Sequence, residues 1–356
     1  MEACYSPSMK KKTSARNVLF LLLPALAAFS ASYASFAPGR QTLVLAHNAY
    51  PDAGKWTDRL DHALAAGTPL AIEIDLSWVP NPQTGQNGSV VGDFPARKFK
   101  DVTGNEPVLK PYFFERVRPL VEKALAANDK KNWPLVRLYL DIKNDPPEHL
   151  EYILGVLHEY ESWLTTAVKT QDAAQQSPLD LKPLMVMLED KDNDIKEEYF
   201  YNRVPVGGKL VAFGTAKLAR PGGENLTDAQ VLQGRFTMKP EDLVTEHAGN
   251  YRRWWGNAWT MVEAGAKDAA GPWTAEKEAR LNAIVKHAHN MGYLVSFWVL
   301  DGADAETIKR QGWSAKYNFG SLEAATVRWK AVLKAGADFL STDQYEEAAK
   351  VLKGRN

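Results

Sequence analysis

A chain of 356 residues with 43 basic and 43 acidic side chains has no formal net charge, which excludes the electrostatic footprint of a nucleic-acid-binding protein. Its hydrophobic share of 45% and charged share of 24% are those of an ordinary globular protein. The length suits one barrel-sized domain with insertions.

The first residues differ from the rest. Lys10, Lys11, Lys12 and Arg16 form a basic region ahead of an apolar stretch, 18–29, broken only by Pro24. Ser32-Tyr33-Ala34 then offers small residues where signal peptidase reads them, so a signal peptide is expected over 1–34 and the functional domain over 35–356. The apolar stretch falls short of the roughly 20 residues that span a bilayer. An uncleaved leader would nevertheless tether the protein to a membrane. Cleavage removes four basic residues and one acidic one, leaving a net charge of −3, and it removes Cys4, the one cysteine. A thiol-free exported protein fits a periplasm or external medium, so secretion is the expectation.

After the leader, short apolar runs alternate with helix-like stretches. The run 43–46 has the pattern of a buried strand, and 55–66 that of a helix ended by Gly67. A second strand is expected over 70–76, then a polar loop insertion over 77–110. A helix over 112–128 and a strand over 135–142 follow. Pro146 opens a helix expected to reach Lys169, with a polar loop over 171–180. Further strands are expected at 184–188, 210–213, 259–262, 293–299 and 337–340, with helices at 274–291 and 321–335. About eight strands alternating with helices predict an α/β chain folded as a (β/α)8 TIM barrel; a doubly wound sheet would show the same alternation.

Three strand ends carry polar groups where apolar ones would be expected: His47-Asn48, Glu73-Ile74-Asp75, and Asp141-Ile142-Lys143. In a barrel these ends converge on one face. Residues i and i+2 of a strand point to the same side, so Glu73 and Asp75 lie together. Adjacent carboxylates repel unless a cation neutralises them. With Asp141 and the Asn48 amide oxygen they form an all-oxygen set suited to one divalent cation, Mg2+ or Ca2+. Alternatively, Glu73 and Asp75 form ion pairs with Arg137 or Lys143. Lys143 lies on the same side as Asp141 and can hold either a phosphate oxygen or those carboxylates. His47 beside a metal suits proton transfer or attack on phosphorus.

The motifs His47-Asn48-Ala49-Tyr50, Ala63 to Gly67, Glu73-Ile74-Asp75-Leu76, Leu140-Asp141-Ile142-Lys143 and Ser341-Thr342-Asp343 together resemble the PLC-like phosphodiesterases. That superfamily includes glycerophosphodiester phosphodiesterases, phosphoinositide phospholipases C and sphingomyelinase D-like phospholipases. The resemblance implies a phosphodiester hydrolase with His47 as the first catalytic histidine and Glu73, Asp75 and Asp141 as metal ligands. Asn48 matches the calcium-binding asparagine of phospholipases C and departs from the His-Arg pair of glycerophosphodiesterases. Trp298 and Asp301 flank the end of the seventh strand, where the family contributes an aromatic wall to the substrate pocket. The family's second histidine has no counterpart between His62 and His149; Asp93 is the candidate stand-in as acid or base.

The expected substrate is therefore a small-molecule or lipid phosphodiester. A rival is a pseudoenzyme that binds a phosphorylated ligand, motivated by the missing histidine. Another is a glycosidase-type barrel using Glu73 and a distant carboxylate. The run Glu189-Asp190-Lys191-Asp192 follows the fourth strand and either reaches the site or, the favoured reading, forms a solvated face. Arg252-Arg253-Trp254-Trp255 with Trp259 is either packing or a rim for peripheral membrane contact.

Overall fold

In the computed structural model the described residues are Met1, 37–52, 55–189, 194–222, 226–263, 271–311, 313 and 318–354. The expected signal peptide and Cys4 lie outside them. Among the described residues no helix is long and apolar enough to cross a membrane.

Twelve strands are present among these residues: β1 (Leu43–Ala46), β2 (Leu70–Pro80), β3 (Asn87–Val91), β4 (Val136–Ile142), β5 (Thr166–Val168), β6 (Leu179–Asp180), β7 (Leu184–Leu188), β8 (Lys209–Leu210), β9 (Phe213–Thr215), β10 (Arg252–Ala258), β11 (Leu294–Trp298) and β12 (Phe339–Thr342). Eight of them run parallel around the order β1-β2-β4-β7-β9-β10-β11-β12, and β12 pairs with β1 to close the barrel. Each barrel strand neighbours its successor in the chain, the topology of a TIM barrel. The helices are α1 (Arg59–Ala65), α2 (Glu115–Ala127), α3 (Pro147–Glu159), α4 (Asp194–Glu197), α5 (Asp228–Thr237), α6 (Pro240–Leu243), α7 (Ala275–Asn290), α8 (Ala305–Gln311), α9 (Leu322–Ala335) and α10 (Tyr345–Lys353).

Strand alternation divides the core in two. Leu43, Leu45, Ala71, Tyr139, Met187, Trp254, Leu294 and Phe339 fill the barrel interior. Their chain neighbours Val44, Ile72, Leu138 and Leu140, and Ile74 further along β2, belong to the larger shell beneath the helices. On β2 the interior row therefore continues from Ala71 through Glu73 to Asp75. Asp75 pairs in register with Asp141 on β4, so both carboxylates rise at one level of the barrel.

Four expectations are corrected. The segment 77–110 is not one loop: β2 continues to Pro80 and β3 returns antiparallel, with Leu76 opposite Val91, and Val79, Ser89 and Val91 of these two strands are buried. The helix opened by Pro146 stops at Glu159, and Thr166–Val168 joins a small antiparallel side sheet with β6 and β8. The run 210–213 splits between that sheet and the barrel strand β9. The sixth barrel strand is Arg252–Ala258, and 259–261 is a helical turn. Arginines obscured that strand in the sequence. Arg252 donates to the Thr215 carbonyl at 2.6 Å and Glu197 at 2.7 Å, and Arg253 to Gln176 and two carbonyls at 3.0 Å. Trp254, Trp255 and Trp259 are all buried, so this run is packing and forms no membrane rim.

Candidate active site

His47 directly follows β1, and its N–H still bonds the Thr342 carbonyl of β12. Its Nδ1 lies 3.0 Å from Asp343 Oδ1, and its Nε2 lies 3.5 Å from Glu73 Oε2. Asn48 turns the chain with φ of 50°, a left-handed conformation that asparagine tolerates. That turn aims its N–H at Glu73 Oε2, 3.0 Å away, and brings its side-chain amide to within 2.8 Å of His47 Nδ1. The Tyr50 hydroxyl, almost fully buried, reaches Asn48 Oδ1 at 2.8 Å and Asp75 Oδ2 at 2.5 Å.

Glu73, Asp75 and Asp141 are all buried and offer oxygens within 4.8 Å of one another. Asp75 Oδ1 is enclosed yet has no hydrogen-bond partner. An unsatisfied carboxylate oxygen inside an all-oxygen cluster fits a hard divalent cation. Lys143 answers part of the same need: its Nζ lies 2.8 Å from Asp75 Oδ2 and 2.7 Å from Asp141 Oδ2. The ion pair with Lys143 is thus present, whereas Arg137 stands beside Ala71 lower in the barrel, with its guanidinium over Phe339. Burial pushes the Asp75 carboxyl up to about 8; Lys143 opposes this, while Asp141 and Glu73 add to it.

A second group lies behind His47. Asp301 and Asp343 approach His47 within the same 4.8 Å. Asp301 Oδ1 accepts from the Thr342 hydroxyl at 2.6 Å and the Asp343 N–H at 2.7 Å. Burial and the neighbouring Asp343 raise Asp301 to about 7. Arg59, at the start of α1, lies 3.5 Å from Asp343 and donates to the Asn48 carbonyl at 2.8 Å. Burial raises the Asp343 pKa, but attraction from His47 and Arg59 outweighs it and keeps the group ionised. Burial alone would depress His47; the charges of Glu73 and Asp343 reverse that and carry it to about 10. At neutral pH His47 is an imidazolium, a proton donor.

Asp93 follows Gly92, whose φ of 145° and N–H bond to the Asp75 carbonyl bend the chain back after β3. The Asp93 carboxylate is ion-paired with Lys98 at 2.6 Å on the flank of the site. The histidine nearest this hairpin, His149, is fully buried. It stacks on Trp78 at 5.5 Å, lies 3.0 Å from Ser89 Oγ and 2.7 Å from the Asn144 carbonyl. Burial lowers it to about 4, so it is neutral and engaged in packing. Trp298 ends β11, half-buried at the barrel mouth. Glu189, expected in a solvated run, instead accepts from the Tyr139 hydroxyl of the barrel interior at 2.7 Å; residues 190–193 are outside the described chain.

The structure therefore unites His47, Asn48, Glu73, Asp75, Asp141 and Lys143, and leaves Asp93 at the edge. Sequence reasoning set Asp301 at the pocket wall without giving it a role, and did not place Asp343, Arg59 or the Tyr50 hydroxyl in this network. Ser341-Thr342-Asp343 at the last strand end carried a signal for Asp343; nothing in the sequence distinguished Arg59 from a helix-surface arginine.

No family model and no curated protein matches the chain. Among solved structures it is similar to a glycerophosphoryl diester phosphodiesterase from Parabacteroides distasonis, at 12% identity over 92% of this chain and 90% of that one, with TM-score 0.43. It is equally similar to a protein assigned as glycerophosphoryl diester phosphodiesterase from Silicibacter pomeroyi, at 12% identity over 91% and 97%, TM-score 0.43. A Plasmodium falciparum HPPK-DHPS follows at 11% identity over 89% and 47%, TM-score 0.41. The first two bear the name of a family that the motifs resemble, while the third is named for other chemistry. At such scores function must be read from the site itself.

Proposed function

We propose that the chain is an exported, divalent-metal-dependent phosphodiesterase acting on glycerophosphodiester or phospholipid-headgroup substrates. The observation that carries this reading is the buried Glu73-Asp75-Asp141 oxygen cluster beside His47, whose Nε2 lies 3.5 Å from Glu73 Oε2. Glu73, Asp75 and Asp141, with Asn48 adjacent, are the residues that would hold Mg2+ or Ca2+. When bound, such an ion withdraws charge from the phosphoryl oxygens.

The protein's own groups supply the proton chemistry. Asp343 holds Nδ1 of His47, which orients Nε2 towards Glu73 and the pocket. His47 donates its proton to the departing oxygen, and Asp343 stabilises its charge until that moment. Lys143 offers an ammonium to a phosphate oxygen. A hydroxyl neighbouring the phosphate, where the substrate has one, attacks internally and yields a cyclic ester first; otherwise water attacks. Asp93 is the nearest candidate to take the nucleophile's proton, and Trp298 to border the substrate.

The test is hydrolysis of a panel of glycerophosphodiesters and headgroup esters by purified protein with Mg2+ or Ca2+. Activity lost on adding EDTA and in His47→Ala supports the mechanism; activity that survives both refutes it. Export is checked by the mass of the mature chain, expected to begin at Ser35. A second reading, a ligand-binding pseudoenzyme, is favoured by the Asp93–Lys98 pair, which engages the stand-in base. It predicts thermal stabilisation by phosphorylated ligands with no product from any ester. The glycosidase reading predicts activity indifferent to chelators and leaves the clustering of Glu73 with two aspartates unexplained.

A further inference from the structure

Lys143 stands out in the acidic cluster because one ammonium bridges two of its three carboxylates. Its Nζ is 2.8 Å from Asp75 Oδ2 and 2.7 Å from Asp141 Oδ2, with the two aspartates in register on adjacent strands. Asp75 Oδ2 also receives the Tyr50 hydroxyl, so that oxygen is engaged twice while the buried Oδ1 has no partner. A divalent cation taking oxygens from Glu73, Asp75 and Asp141 would come within a few ångströms of that ammonium, where like charges repel strongly inside a protein. The lysine has somewhere to go: its side chain is 22% exposed, against 2% for Asp75.

With the triad read as a divalent-cation site, as proposed above, we infer that Lys143 is a built-in counter-ion that competes with the cation for Asp75 and Asp141. Cation entry displaces the ammonium towards the pocket mouth. Lys143 thereby neutralises the cluster before loading and becomes available to a substrate phosphate only afterwards. The cost of displacing it sets the cation affinity below what the three carboxylates alone would reach.

Calorimetric titration of Mg2+ and Ca2+ into purified wild type, Lys143→Met, Lys143→Gln and Lys143→Arg tests this. The measurement is made at pH 9, where proton uptake by the carboxylates interferes least, with thermal melts to confirm that each variant is folded. Met and Gln should bind either ion about tenfold or more tightly than wild type, and Arg should stay near wild type. Binding by Met and Gln where wild type shows none supports the same conclusion. Met and Gln within twofold of wild type, or weaker, overturns the competition while leaving the cation site standing. So does an Arg variant as tight as Met, because charge would then not be the cause. If neither wild type nor any variant binds, the cation site itself falls, and the competition with it.

Discussion

Raising the pH should remove a defined share of stability through His47. In the folded chain its pKa rises from 6.5 to about 10, because the charges of Glu73 and Asp343 outweigh burial. Below pH 6.5 both folded and unfolded chains hold the proton, and the stabilisation is fully present. Above it the unfolded chain releases the proton first, and the gain is lost as pH rises through 10. A displacement of that size corresponds to roughly 4–5 kcal/mol as an upper limit. His47 is one-fifth exposed and shares Asp343 with Arg59, so about 2 kcal/mol is the expected loss. The assay is denaturant unfolding of wild type and His47→Gln at pH 6, 8 and 10. The stability difference between them should shrink with pH. A difference that stays constant from pH 6 to 10 refutes the ion-paired imidazolium, and with it His47 as the neutral-pH proton donor.

Tyr50→Phe keeps the buried ring but removes the hydroxyl that holds Asn48 and Asp75; Mg2+ or Ca2+ affinity should fall about 10–100-fold, read by calorimetry at an otherwise native melting profile. Glu263→Gln should cost about 3–5 kcal/mol in denaturant unfolding: Glu263 and Arg328 are both 2% exposed and bonded at 2.6 and 2.9 Å, so the change strands a buried guanidinium. Asp93→Asn should lower kcat about 10²–10⁴-fold if Asp93 takes the nucleophile's proton, with Lys98→Met leaving cation binding unchanged; an Asp93→Asn enzyme at full kcat removes it from the mechanism.

Much of the barrel was legible because strand and helix periods are local properties. The run 184–188 is the observed strand to the residue, and 43–46 likewise. The failures fell where local pattern and tertiary environment disagree. Arg252 and Arg253 look unlike strand residues until Glu197, Gln176 and the carbonyls that receive them are in place. The segment 77–110 looks like a loop because a hairpin rich in Asn, Gly and Pro shows its apolar side only once Val79 and Val91 have a partner.

The same division holds within the site. Glu73 and Asp75 could be placed together from sequence, since the two-residue period of a strand requires them to share a face. Asp141 could be added because its strand ends in the same way. What only the closed barrel decided is who stands opposite. Asp343 lies 296 residues from His47 and meets it because β12 pairs with β1. Lys143 could bind phosphate or carboxylate on sequence grounds, and the register of β2 with β4 sets its ammonium on both aspartates. Asp93 could be a base, and the turn after β3 gave it to Lys98. Residue type and spacing determine what a group can do; barrel closure and strand register determine which charges surround it, and those charges set its proton affinity.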